Sequence, residues 1–494
     1  MKRTNVKRGT VARDVSIKKS AIVAPRNLSV EVVLRPAEAG VSPFTADETI
    51  TCGNIHSYRA DTRIQKRVAR ILTDLGFEIV VLSPYSISVE CTPSVFSRTF
   101  GTKLQIQSFH RVQCGHSIRE KEFHAPVEGA SWEPPPVLKD LVERAYIQPP
   151  AIYLQSPLAP KVDYFHLNTA DLATLTRARQ VHQQGITGQG VKVVMIDSGL
   201  FNHPFYQVNG FQGHVVLAPG ALNPAQDLSG HGTAQAANVF TVAPGISFIM
   251  VKQGPNPVAA LKKAIQLGPD IIICSWCFDL IAPNTNRKHL TTVPSTYKAL
   301  ELGIIDAISK GICVVCAAGN GQVAFPGMHP EVISAGGVFV GPDMKFTASN
   351  LASAFVSKPF PGRHVPDLCG LVGMQPSGVY ILLPVQPGSN MDQAFAAGVF
   401  PASDKTLPND GWIGASGTSA AAPQLAGVCA LLKHKNPALK PHELKQALIA
   451  GGADCSAGAA NPDSNEGVSL KANAGPDGAT GHGLVNAAAS VSLV

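Results

Sequence analysis

Between residues 191 and 338 the chain alternates short, unbroken apolar runs with helical segments. VKVVMI (191–196), HVVLA and ISFIMVK are followed by VAALKKAIQLG, DIIICSW, YKALELGIIDAISKG, ICVVCAAG and VISAGGV. A strand that is apolar on both faces must be buried on both, and helical crossovers between such strands make them parallel. The pattern therefore predicts an α/β domain, a parallel sheet with helices on both faces. In such sheets ligands and catalytic groups gather at the carboxyl ends of the strands.

Upstream the period is different. LSVEVVLR (28–35) alternates like a half-buried strand, and residues 62–76 place Ile64, Val68, Ile71, Leu72 and Leu75 at helical spacing before Gly76. Two strands, FEIVVL and SISVEC, a helix opening at Thr92-Pro93, and a last strand, KLQIQSF, complete a β-α-β-β-α-β order, a small ferredoxin-like α+β module. From 112 to 165 the chain turns Pro-rich, with one short helical patch, LKDLVERAY, and reads as an extended linker. The expected organisation is a basic disordered tail (1–25), the ferredoxin-like module (26–111), the linker (112–165) and the α/β domain (166–494).

The net charge of +7 lies entirely in the first 36 residues, where nine Lys/Arg face Asp14 and Glu31. The remainder is formally neutral, which argues against a nucleic-acid-binding body. The amino-terminal segment has charge but no apolar core of a signal peptide, and no run approaches the ~20 apolar residues of a membrane span. The expectation is a cytoplasmic protein without nucleic-acid or membrane partners, with non-classical export as the alternative. Ten cysteines include two C-x-x-C pairs, Cys274/Cys277 and Cys313/Cys316. Both pairs sit in strand-like runs, where residues three apart point to opposite faces, so shared metal ligation is not expected. Buried free thiols fit a reducing compartment.

Four residues carry the chemistry. Asp197 ends VKVVMI, His231 opens an Ala-rich helix in SGHGTA, Asn320 follows ICVVCAAG, and Ser419 opens a second Ala-rich helix in SGTSAAAPQLAG. Each one alone fits a helix cap or a turn. Together they are the groups of acyl transfer: a hydroxyl, an imidazole to take its proton, a carboxylate to orient that imidazole, and an amide donor for the oxyanion. The order Asp, His, Ser is one of the known orders of such a triad.

Residues from about 166 onward resemble the catalytic domain of subtilisin-like serine peptidases, the subtilase family. GQGVKVVMIDSGL with His203-Pro204, SGHGTA, CAAGN and SGTSAAAPQLAG resemble its aspartate, histidine, oxyanion and serine blocks. FPGMHPEVISAGGV, VPDLCG and GHGLVNAAASV are further echoes. The resemblance implies a triad of Asp197, His231 and Ser419, with Asn320 in the oxyanion hole. It also implies hydrolysis of protein or peptide substrates through an acyl-enzyme. A substrate chain would lie as an added strand against 252–256 and 275–277, placing Ser275, Trp276, Cys277 and Gly319 at the substrate.

Two departures bear on these implications. Ser275-Trp276-Cys277 stands where the family commonly has Ser-Leu-Gly. The acyl-transfer groups require no cofactor for their chemistry, and the connection after the histidine helix is too short for the family's calcium loop, so a tightly held calcium is not expected there. The amino-terminal module resembles the pro-domain of subtilases and sedolisins. That implies a zymogen inhibited by its own pro-domain and cut within the linker. The stretch 451–481, rich in Gly, Ala and Asn, reads as a surface loop without an assigned role.

Overall fold

The computed structural model describes residues 27–45, 49–113, 116–127, 134–149, 151–153, 168–283, 285–341, 343–374, 381–396, 404 and 406–494. The expected basic tail (1–25) and, of the expected linker, residues 114–115, 128–133, 150 and 154–165 lie outside these residues.

The amino-terminal part begins as its sequence pattern predicts, with β1 (Leu28–Leu34), α1 (Thr62–Asp74), β2 (Glu78–Leu82), β3 (Ser86–Cys91) and α2 (Pro93–Phe100). Asp61 caps α1, its Oδ1 accepting from Arg63 N at 2.6 Å, and Thr92 Oγ1 caps α2 by accepting from Val95 N at 3.3 Å. The last strand departs from expectation. β4 (Leu104–Gln113) pairs with β5 (His116–Pro126) in a separate hairpin, and Ile106 is exposed. The place beside β1 is taken by β6 (Val142–Ile147), giving a sheet of order β2-β3-β1-β6. So the patch LKDLVERAY is a turn and a strand rather than a helix. Leu138, Val142 and Ala145 recur at helical spacing because a β-bulge opposite Val33/Leu34 shifts the alternation of β6 by one residue.

One face of this sheet, with Leu28, Val30, Val32, Leu34, Ile87 and Val89, closes a core under α1 and α2. Beyond β6 a short strand, β7 (Ile152–Tyr153), leaves the module and pairs with the larger part.

The larger part is built as predicted. After α3 (Thr169–Leu175) and α4 (Ala178–His182) come β8 (Lys192–Asp197), α5 (Pro204–Val208), β9 (Gly213–Leu217), α6 (His231–Val242), β10 (Ser247–Lys252), α7 (Pro257–Gln266) and β11 (Ile271–Cys274). Then follow β12 (Trp276–Asp279), α8 (Lys298–Ser309), β13 (Cys313–Ala317), β14 (Ala324–Phe325), β15 (Ile333–Val340) and β16 (Phe346–Ala348). After a small hairpin of β17 (Phe355–Val356) and β18 (His364–Val365), β19 (Leu368–Leu371) joins β15. β20 (Ile381–Pro384), α9 (Asn390–Ala396) and β21 (Trp412–Ala415) precede the long α10 (Thr418–Lys435).

The sheet order is β16-β15-β13-β11-β8-β10-β9 with β19 also beside β15, and only β16 runs antiparallel. One apolar layer packs against α6 and α10 and the other against α7 and α8. The C-x-x-C pairs straddle these layers, Cys277 and Cys313 in one, Cys274 and Cys316 in the other. All nine described cysteines are free thiols.

Candidate active site

β8 delivers Asp197 at its carboxyl end, fully buried. His231 is the first residue of α6, and its Nδ1 donates to Asp197 Oδ1 at 2.8 Å. The same carboxylate oxygen accepts Ser198 N at 2.7 Å, so it is an acceptor throughout and leaves the proton on Nδ1. That tautomer turns the lone pair of Nε2 away from the carboxylate. The approach of the two segments needs glycine, because a Cβ on Gly232 would stand 2.2 Å from Gly199 O.

Ser419 is the second residue of α10 and is buried. α6 and α10 run side by side in the same direction. Gln424 Nε2 meets Asn238 Oδ1 at 3.4 Å, and a Cβ on Gly427 would reach Val242 Cβ at 2.6 Å. Shared direction and these contacts bring His231 and Ser419, the openings of the two helices, to the same edge of the sheet. Pro423 lies inside α10, which stays one continuous helix.

Asn320 comes from the segment after β13. Its Oδ1 accepts from Thr418 N at 2.9 Å and from Thr418 Oγ1 at 3.1 Å, so its orientation is fixed by the first turn of α10. Thr418 Oγ1 in turn accepts from Gly319 N at 3.1 Å. The amide Nδ2 is buried without a hydrogen-bond partner among the described residues. A Cβ on Gly417 would lie 2.7 Å from that nitrogen, so a side chain there would block it. A buried, oriented and unspent N–H donor is what a developing oxyanion requires.

The segment 275–277 lines this centre unevenly. Ser275 Oγ donates to Ser419 O at 3.0 Å, tying β12 to the start of α10. Trp276 is fully buried in the α7/α8 layer, where its Nε1 donates to Ile196 O at 2.9 Å. The indole thus braces β8 from below. Cys277 lies in the opposite layer, and burial pushes its thiol well above the usual range. What β12 offers a ligand is its backbone edge. β14 pairs with it antiparallel, and so does β7, with Tyr153 opposite Trp276 and Ile152 opposite Cys277. The other flank, 252–256, is engaged elsewhere. Gln253 N donates to Asp197 O at 2.7 Å, and Asn256 caps α7.

Asp227 was not singled out from sequence. Its Oδ1 accepts from Ser198 Oγ at 2.8 Å and Gly230 N at 3.0 Å, and its Oδ2 accepts from Thr233 N at 2.8 Å and Thr233 Oγ1 at 2.7 Å. It therefore clamps the aspartate turn to the first turn of α6. Burial raises its pKa, and the donors around it oppose the shift. The only signal in the sequence was a carboxylate four residues before His231. The segment around β20 and α9 supports the same loop through Gln386 Oε1, which accepts from Asp227 N at 2.6 Å, and through Asn390 N and Met391 N, which donate to Leu228 O and Ser229 O.

Residues 188–483, more than half of the chain, match the family model described as the subtilase family. The chain belongs to the subtilase family. Among similar proteins, the alkaline protease of Alkalihalobacillus alcalophilus is 26% identical over 268 residues, 53% of this chain and 58% of that protein. Subtilisin BL of Lederbergia lenta is 27% identical over 270 residues, covering 53% of this chain and 82% of its own length. Subtilisin E of Bacillus subtilis is 29% identical over 274 residues, 53% and 60% of the two chains. The match thus spans little more than half the length of several of these subtilases. Fervidolysin from Fervidobacterium pennivorans, a keratinolytic enzyme related to subtilisin, superposes with a TM-score of 0.51 at 16% identity, over 94% of this chain and 61% of that one. It shares the fold.

The connection from α6 to β10, Ala243–Ile246, contains no side-chain oxygen. These residues do not fit a calcium ion at the place where the family's loop was expected.

Proposed function

We propose that the chain is a serine endopeptidase held as a zymogen by its amino-terminal module. The observation that carries this reading is the pairing of β7 with β12 beside Ser275 and Ser419, since it puts a segment of the chain itself where an extended substrate would add a strand. In the reaction, a substrate chain takes the place of β7. His231 Nε2 accepts the proton of Ser419 Oγ as that oxygen attacks the carbonyl carbon, and Asp197 stabilises the imidazolium through Nδ1–H. Asn320 Nδ2 and the Ser419 N–H at the opening of α10 donate to the oxyanion; loss of one such donor costs roughly 3 kcal/mol. His231 then protonates the leaving amine, and water releases the acyl group by the reverse proton path.

Protein or peptide chains are the substrates of this reading, and the module of residues 27–153 is its first partner. Labelling with a fluorophosphonate tests it, on full-length protein beside a Ser419→Ala variant. The expected result is labelling and chain cleavage in the former and neither in the latter. Absence of both under all conditions overturns the reading in favour of a peptide-binding protein with β7 permanently docked. Turnover of esters but never of amides would make it an esterase.

A further inference from the structure

The oxyanion segment 319–323 is held from outside by a cation. Within the segment most backbone groups have local partners. Gly319 O accepts from Ser353 N at 2.8 Å, Asn320 N donates to Gln322 Oε1 at 2.6 Å, and Gly321 N donates to Ser353 Oγ at 2.9 Å. Val323 N donates to Asp279 Oδ1 at 2.8 Å. Gly321 O is taken by Arg287, whose Nη2 donates to it at 2.6 Å and reaches Asp279 Oδ2 at 3.2 Å. Arg287 Nε donates to Asp463 O at 2.8 Å.

Arg287 sits in the connection between β12 and α8 at φ +52°, a left-handed conformation that non-glycine residues seldom adopt. Its planar guanidinium presents donors in a fixed fork, so three acceptors on three segments define one orientation. Those segments are the substrate-side strand β12, the oxyanion segment, and the 451–481 stretch. The last of these packs on the site directly. A Cβ on Gly321 would meet Asn461 Nδ2 at 3.1 Å and Asp463 Cβ at 3.5 Å. Glu466 in the same stretch pairs with Lys358 and accepts from His289 N at 3.0 Å, anchoring it to the Arg287 connection.

We propose that Arg287 is a positioning residue for peptide hydrolysis, fixing the carbonyl of Gly321, the residue directly after Asn320, and hence the direction of the Asn320 Nδ2 donor, with the 451–481 stretch as its outer support. The proposal rests on the peptidase reading above. An oxyanion donor acts when charge develops on the carbonyl oxygen, so its misalignment is felt in the transition state far more than in substrate binding. A purely structural arginine would instead change stability or lower kcat and raise KM together.

The test compares full-length wild type, Arg287→Ala and Arg287→Lys on a peptide amide. It also measures inhibition by a peptide aldehyde, whose adduct places an oxyanion in the hole, and by the matching peptide alcohol, which does not. In Arg287→Ala, kcat is expected to fall about tenfold or more with KM within about twofold, and aldehyde affinity to fall in step while alcohol affinity holds. Arg287→Lys should lie between, and added guanidinium ion at low concentration should restore part of the loss in Arg287→Ala. Unchanged kcat, a loss confined to KM, or unchanged aldehyde affinity overturns the proposal. If Arg287→Ala does not fold, Arg287→Lys is held to the same criteria. A wild type that hydrolyses no peptide brings down the peptidase reading and this inference with it; a working wild type matched by both variants brings down only the inference.

Discussion

The two largest sheets among the described residues both have covered faces, yet the covers differ in kind. In the large sheet β8, β11 and β13 are apolar toward α6 and α10 on one side and toward α7 and α8 on the other. In the small sheet β1 and β3 turn most of their apolar side chains toward α1 and α2, and toward the large part only Val33 of these two strands enters its core, with Tyr85 and Tyr146 of the module in the same cluster. Toward the large part the two strands present Ser29, Glu31, Ser86 and Ser88, all buried. Glu31 Oε2 lies 3.0 Å from Lys262 Nζ on α7, which also donates to Ser88 Oγ at 2.9 Å and Ser86 O at 3.3 Å, and Asn256 Nδ2 donates to Glu31 Oε1 at 3.2 Å. Tyr85 Oη to Asp306 Oδ1 at 3.2 Å and Ala299 N to Tyr146 Oη at 2.9 Å extend this polar joint.

An apolar layer tolerates loss of one group by partial collapse, whereas a buried ion pair depends on both partners being present. Burial lowers the pKa of Lys262 and Glu31 opposes that shift. The lesson is that two apolar layers hold the large sheet, whereas the small sheet meets the large part through a joint in which a buried ion pair and hydrogen bonds stand among apolar side chains.

Four perturbations press on this contrast. Glu31→Ala strands the Lys262 ammonium in the joint and should weaken docking by about 3–5 kcal/mol. Hydrogen exchange should then rise in β1 and β3 while β8 and β11 stay protected, and a Glu31→Met/Lys262→Met pair should recover most of the protection. Ile272→Ala, in the fully buried centre of β11, should cost about 2–5 kcal/mol and lower the thermal midpoint of the large part, leaving the joint intact.

Acid should act on the folding of the large part through His329, which is buried there and whose pKa is lowered, chiefly by burial, from 6.5 to about 3. Because the folded value is the lower one, the unfolded chain binds the proton first. Stability is complete above pH 6.5 and is lost as pH falls toward about 3, by about 1.4 kcal/mol per pH unit, and His329→Asn should flatten that slope in a titration of the thermal midpoint. Smallest, Asp61→Ala removes the α1 cap and should cost about 1 kcal/mol, seen as exchange confined to the first turn of α1.

Much of the large part was legible because its strands are apolar on both faces and its four chemical residues end strands or open helices. The small sheet was half legible. The face under α1 and α2 shows the two-residue period, but Glu31 and Ser88 on the other face read as solvent-facing, and nothing local says that Lys262 covers them. The bulge in β6 gave Leu138, Val142 and Ala145 a helical spacing, so the last strand was placed at β4. Trp276 looked like a specificity element from its position in the block. Its burial follows from the side of β12 it occupies, and that is set by β14 and β8 rather than by its neighbours in sequence. Asp227 and Arg287 act across long sequence separations on segments already recognised, which spacing alone does not reveal.

The central claim is that the amino-terminal segment lies on β12 in the manner of a substrate strand. β7 runs antiparallel to β12, so its carboxyl end points toward Ser275 and, through that hydroxyl, toward Ser419. Amino-terminal sequencing of the full-length protein after incubation tests this most directly. The account predicts a first cut within a few residues on the carboxyl side of Tyr153, absent from Ser419→Ala. A first cut inside the module, or the same cut in the Ser419→Ala chain incubated alone, would contradict it.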